Sequence, residues 1–301
     1  MDKNNSIAYY HLPGLFEFYE LYKLFIPLFY NHREYFYDWC QIGSVYGAPS
    51  DCIWGGGRIE NCDADASDVL NLMREYNISA RLTFSNSLIT KELLDDAKCN
   101  NLCRLFSENT ANANGIIVHS DLLLQYIKEK YPNLYAVSST TKVITDSNAL
   151  INELSNDDFS YVVPDFRFNK SFDLLGQLPL NLRKKAEFLC NECCYYGCNS
   201  RKACYESVSR KILGESDNFV CSTPNAGNTY SFSGAMNNPG FIGINDITSV
   251  YLPMGYINFK IEGRSLGSAL ILEFLLYYMV KPEYQIHVRE HIYLDNMLDL
   301  F

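Results

Sequence analysis

Gly115-Ile-Ile-Val-His-Ser-Asp-Leu-Leu-Leu-Gln-Tyr-Ile-Lys-Glu-Lys-Tyr-Pro-Asn-Leu-Tyr-Ala-Val-Ser-Ser-Thr140 reads as strand, helix, strand. Residues 115–120 are a short β-branched run, 120–130 carry Leu and Ile at helical spacing, and 135–140 are a second apolar run that follows Pro132-Asn133. A strand, a crossover helix and a returning strand imply parallel pairing. The unit recurs along the chain. Eight strand-like runs are predicted at 41–46, 80–85, 115–120, 135–140, 161–166, 185–191, 241–245 and 257–261, with helical stretches at 68–76, 120–130, 147–154 and 201–213. This pattern predicts an α/β fold, a closed (β/α)8 TIM-like barrel; an open doubly wound sheet is the alternative. A single domain is expected over 1–301, with an aromatic helical cap at 1–40, the barrel at 41–267 and a C-terminal helical segment at 268–301. A first strand at 8–11 is the other reading of part of the cap.

The 301 residues are 48% hydrophobic, enough for a sizeable core. A formal charge of −10 sets aside a broad nucleic-acid footprint. No apolar run has the length of a membrane span, so no membrane partner is expected. The start, Met1-Asp-Lys-Asn-Asn-Ser6, lacks the pattern of a secretory signal, and a cytoplasmic chain is expected. In a reducing compartment its 11 cysteines are thiols or metal ligands rather than disulfides.

Five of them fall in 15 residues, Cys190-Asn-Glu-Cys-Cys-Tyr-Tyr-Gly-Cys-Asn-Ser-Arg-Lys-Ala-Cys204, directly after a predicted strand. Crowded thiols of this kind suit an iron–sulfur cluster or another metal. Asn199-Ser200 can cap the helix that follows, and helix-start amides favour thiolates. The expected ligands are Cys194, Cys198 and Cys221, with Cys204 as the fourth. Cys190 and Cys193 are set aside because alternate strand residues face opposite ways. The cofactor is read as an iron–sulfur cluster, with a four-cysteine zinc site as the alternative. Cys99-x3-Cys103 reads as incidental, and Cys40, Cys52 and Cys62 as distant reserves.

In a barrel, polar residues that end strands point at the catalytic mouth. The candidates are Asn86, His119, Asp165, Arg167, Asp246, Glu262 and Arg264, with Lys260 inside the last predicted strand. Trp54-Gly-Gly-Gly-Arg58 permits close backbone approach, and Arg58 could take a carboxylate or phosphate, although the spacing is not that of a P-loop. For each of these residues a solvated loop or structural ion pair is the bland alternative. No Gly-x-Ser-x-Gly elbow or His-Glu-x-x-His helix is present.

The segment Phe259-Lys-Ile-Glu-Gly-Arg264 resembles the hallmark segment of the collagenase-like U32 peptidase family. The order of parts is similar as well: Asn191-Glu192 with its cysteine loop, then Cys221, Asn245-Asp246 and the Lys-Ile-Glu-Gly-Arg strand. The chain resembles a short, divergent relative over roughly 41–267, with the six-residue motif as the sharp element. The resemblance implies a barrel with a cysteine-bound [4Fe-4S] cluster and, from several relatives, oxygen-independent hydroxylation. On this reading Glu262 and Arg264 form a charge pair at a pocket for a small anionic substrate. Lys260 and Arg167 add anion contacts, and Asp165 or Asp246 carries protons. The alternatives are a metal-independent peptidase and a noncatalytic iron–sulfur or zinc subunit that binds a protein partner through its aromatic terminal segments.

Overall fold

The structure is a computed structural model that describes residues 6–56, 64–108, 113–224, 226, 230–263 and 266–296. Its strands are β1 (Ala8–Pro13), β2 (Cys40–Gly47), β3 (Ser79–Phe84), β4 (Gly115–Val118), β5 (Tyr135–Ser138), β6 (Tyr161–Val162), β7 (Glu187–Leu189) and β8 (Asn258–Lys260). All pair in parallel in the order β6-β5-β4-β3-β2-β1-β8-β7. A parallel bridge from Val162 to Ala186 joins the two edges and closes the barrel.

Helices alternate with these strands: α1 (Tyr19–Asn31), α2 (Ala66–Glu75), α3 (Ala97–Ser107), α4 (Asp121–Lys130), α5 (Ser147–Ser155), α6 (Phe172–Gln177), α7 (Leu180–Lys185), α8 (Arg201–Ile212), α9 (Phe232–Met236), α10 (Ile244–Asp246), α11 (Ser268–Met279) and α12 (Gln285–Asn296). Several begin on a capping side chain: Asp65 for α2, Asp96 for α3, Ser120 for α4 and Asp146 for α5 each accept a bond from an early helical N–H.

The alternation of side chains along the strands divides the core in two. Leu12, Val45, Leu82, Ile116, Ala136, Phe188 and Phe259 face the helices and belong to the large outer core. Their neighbours Tyr46, Ile117, Val137, Val163 and Leu189 face inward and make a separate apolar layer across the barrel. Strands buried on both faces read as continuous apolar runs, which is why they stand out in the sequence.

The predicted architecture holds, and two strand assignments change. Residues 8–13 are β1, paired with both β2 and β8. Residues 241–245, predicted as a strand, are not one: Ile242 N–H donates to Cys190 O at 2.9 Å, and the chain then turns into α10, where Asp246 Oδ2 accepts from Gly243 N–H at 2.9 Å. The apolar character there comes from packing of Phe241 against Tyr277 and Tyr278, not from a ladder. Among the described residues no helix is long and apolar enough to cross a membrane.

Candidate functional site

A cavity of about 720 Å³ opens at the carboxyl ends of the strands. The inward apolar layer is its floor, through Tyr46, Ile117, Val163 and Leu189. Ser139, Thr140 and Thr141, which follow β5, form a hydroxyl-bearing side. Glu192, Cys193, Cys194, Arg201 and Cys204, contributed by the segment after β7 and by α8, form the other, and Cys221, Lys260 and Glu262 complete it.

The two glutamates are set by an amide clamp. Asn191 Nδ2 donates to Glu262 O at 2.9 Å while Glu262 N–H donates to Asn191 Oδ1 at 2.7 Å, so the ends of β7 and β8 are tied side by side. Glu192 is buried, accepts from Cys194 N–H at 2.9 Å, pairs with Arg201 Nη2 and shares a side-chain hydrogen bond with Glu262. Burial opposes ionisation of Glu192, but Arg201 and these hydrogen bonds together hold its carboxyl below the usual range. Arg201 is itself 2% exposed, donates to Tyr205 Oη at 2.9 Å, lies 3.7 Å from Asp165 Oδ2 and packs over the Phe166 ring. A guanidinium shared by two buried carboxylates is the keystone of this wall, and the sequence reading missed it because Arg201 looks like an ordinary helix-start charge.

Under the floor lies a buried ionic cluster. Glu187 Oε2 is 2.5 Å from Arg81 Nη1 and 3.5 Å from His11 Nε2, and its Oε1 is 3.1 Å from Lys260 Nζ. Lys260 Nζ also sits 3.4 Å from the centre of the Tyr46 ring, so its cation is held at the cavity floor. Burial and the neighbouring Arg81 lower the His11 pKa to about 3, which leaves the imidazole neutral.

The predicted thiols divide. Cys194, Cys204 and Cys221 line the cavity; Cys198 is buried outside its lining, and its backbone carbonyl accepts from Arg167 Nη1 at 3.2 Å. Cys193, set aside on strand alternation, lines the cavity because β7 ends at Leu189 and alternation stops there. Burial, followed by the nearby Glu192 charge, pushes the Cys194 thiol up to about 12. Among the described residues, one group of three metal-capable side chains converges within 4.8 Å: Glu192, Cys193 and Glu262. A preformed four-thiolate tetrahedron is absent among the described residues.

The other candidates fall in different places. Asp165 binds Arg167 through Nε at 2.6 Å and Nη2 at 3.0 Å, and it starts a 3₁₀ turn over Phe166–Phe168, so both charges brace the loop after β6. Asp246 binds Lys170 Nζ at 2.5 Å and lies off the cavity. Asn86 spends its amide on Ile53 O at 2.8 Å and Leu88 N–H at 2.9 Å, holding the loop after β2. His119 Nδ1 is 2.9 Å from Thr141 Oγ1, one residue behind the hydroxyl side; burial and nearby Lys142 lower its pKa to about 4. Arg58, Arg264 and Cys62 lie outside the described residues.

A cavity of this size, with an apolar floor, a few convergent polar groups and strained titrations, has the form of a small-molecule site. No family model and no curated protein matches the sequence. Among solved structures, the chain is similar to the U32 peptidase Mk0906, with a TM-score of 0.51 and 10% identity over 87% of this chain and 94% of that one. At that identity the likeness establishes the architecture alone: the chain has a U32-like barrel fold.

Proposed function

We propose that this chain is a U32-type iron–sulfur enzyme that modifies a small anionic substrate at the carboxyl mouth of its barrel, with oxygen-independent hydroxylation as the reaction class. The observation that carries the reading is the convergence of Cys193, Cys194, Cys204 and Cys221 on one open cavity. Thiols beside two carboxylates are a donor set that suits a cationic centre, and Cys194, Cys204 and Cys221 would hold it, with Cys193 or Cys198 as the remaining thiolate. When bound, a [4Fe-4S] cluster supplies one-electron redox chemistry. The chain's own groups divide the rest of the work. Glu262, hydrogen-bonded to the ionised Glu192, holds or releases a proton beside the thiols. Lys260 supplies positive charge at the floor, and the Tyr205 and Tyr230 rings add apolar surface to the walls. An open mouth also favours an enzyme over a purely structural subunit.

A second reading follows from the Glu192, Cys193 and Glu262 group, which could hold a single zinc ion with an open coordination position. Anaerobic purification followed by iron, sulfide and zinc analysis separates the two. Iron and sulfide in equal amounts, lost together in Cys194→Ala and Cys204→Ala, is the expected result. Zinc alone, lost in Glu262→Gln, overturns the iron–sulfur reading in favour of the second, and a chain with neither overturns both.

A further inference from the structure

Two thiols outside the mouth meet in the outer core. Cys52 Sγ and Cys99 Sγ are 3.2 Å apart, and both residues are almost completely buried. Cys52 lies in the turn after β2, where its N–H donates to Pro49 O at 3.2 Å and its carbonyl accepts from Gly55 N–H at 2.9 Å. Cys99 lies in the first turn of α3, with its N–H on the Asp96 cap at 2.8 Å. Each backbone is therefore held by bonds that owe nothing to the sulfurs, and the fold itself brings the thiols together. A disulfide needs about 2.05 Å between sulfurs, so roughly 1 Å of side-chain movement would close one.

We propose that Cys52 and Cys99 are a redox pair that closes to a disulfide when the chain meets a peroxide, tying the loop after β2 to α3. One thiol loses its proton, its thiolate attacks a peroxide oxygen, the O–O bond breaks, and a sulfenic acid forms while the departing hydroxide takes up that proton and leaves as water. The second thiol likewise loses its proton, its thiolate attacks the sulfenic sulfur, and the expelled hydroxide takes up that proton as a second water. Overall, two thiols and one hydrogen peroxide give one disulfide and two waters, with two electrons passing from sulfur to oxygen.

The loop is also a wall of the mouth. Gly56 lines the cavity, and the intervening residues are fastened to the end of β3 through Asn86 N–H to Trp54 O at 3.0 Å and Asn86 Nδ2 to Ile53 O at 2.8 Å. A bond from Cys52 to α3 restrains this wall from behind, so the redox state of the pair reaches the site without touching its thiols. The hydrogen bond with Cys52 and burial both push the Cys99 thiol far above its usual range. Reaction thus waits for the loop to open, and the pair oxidises more slowly than the exposed Cys221.

The test uses the full chain, reduced and then treated with hydrogen peroxide. Samples are acid-quenched, unfolded, alkylated, digested and mapped by mass. The expected product is a Cys52–Cys99 linked peptide, which appears after Cys221 has reacted, together with a thermal midpoint several degrees above that of the reduced chain. Cys99→Ala should abolish this rise while Cys103→Ala keeps it. Should either variant fail to fold, peptide mapping of the unmodified sequence decides alone. Recovery of both Cys52 and Cys99 as alkylated free thiols after prolonged exposure overturns the proposal, as does a link from Cys52 to Cys103.

Discussion

His11 shows how much of this molecule is decided at single buried positions. Its Nδ1 lies 2.8 Å from Ser44 Oγ and its Nε2 3.3 Å from Asn258 Oδ1, in a pocket where Arg81 and Lys260 oppose a further positive charge. The folded pKa is about 3 against about 6.5 in the unfolded chain. Between those values the unfolded chain binds a proton that the folded chain refuses, so stability falls as pH drops from about 6.5 toward about 3, by up to about 1.4 kcal/mol per pH unit. Glu187 adds to this at the acid end. Burial opposes its ionisation, yet Arg81, His11 and Lys260 outweigh burial and hold it well below the carboxylate range. Its stabilisation is present above the unfolded carboxyl pKa and is lost as pH falls below it. Denaturant unfolding of His11→Gln should give a flatter pH dependence between pH 6.5 and 4.5, with the steeper acid limb from Glu187 retained; an unchanged slope in that upper window counts against the assignment. Arg201 makes the matching case at the mouth. Arg201→Ala leaves Glu192 and Asp165 buried without their shared cation and should cost about 3–5 kcal/mol in the same measurement. Neither residue was marked by the sequence, because burial of a charge depends on which distant strand ends it meets.

At the scale of elements, strand–helix alternation was readable wherever both faces of a strand are buried, as in β3, β4 and β5. It misled where an apolar run served another purpose. The 241–245 run packs under α11 beside β7, and periodicity in so short a window does not separate that from a strand. β1 was held only as an alternative because its surroundings are aromatic throughout and its turn signals are weak. The glycine loop after β2 also has a local explanation. A Cβ on Gly56 would stand 2.2 Å from Ser85 O, so the residue is small because the loop presses against the backbone that follows β3, and a bound phosphate is not needed to account for it. Gly56→Ala should therefore cost about 1–3 kcal/mol by overpacking and displace the mouth wall. Thermal unfolding checks the first effect, and faster alkylation of Cys52 checks the second. A fully stable variant with unchanged Cys52 reactivity would remove the close-packing explanation.

At the scale of the whole molecule, closure of the barrel makes one site from residues that the chain keeps far apart. The sequence could name polar residues after each strand, but only the closed ring decides which of them share a cavity. Asp165, Arg167, Asn86 and Asp246 became braces between loops behind the cavity lining, whereas Glu262, Lys260, Cys194, Cys204 and Cys221 came to one place. The ring itself is held by the outer core and by the inward layer, neither of which includes a thiol of the mouth except through neighbours. Loss of the proposed metal centre from the mouth should therefore leave the barrel standing. In a chelator-treated chain, far-UV circular dichroism and cooperative unfolding are expected to persist with at most a modest drop in midpoint. The thiols should respond differently: Cys204 and Cys194 should change from slow to measurable alkylation, while Cys99 and Cys190, buried in the outer core, stay protected until global unfolding. Collapse of the secondary structure on metal removal would mean that the centre is part of the folding core, as in small metal-dependent domains, and the separation of ring from mouth would fall.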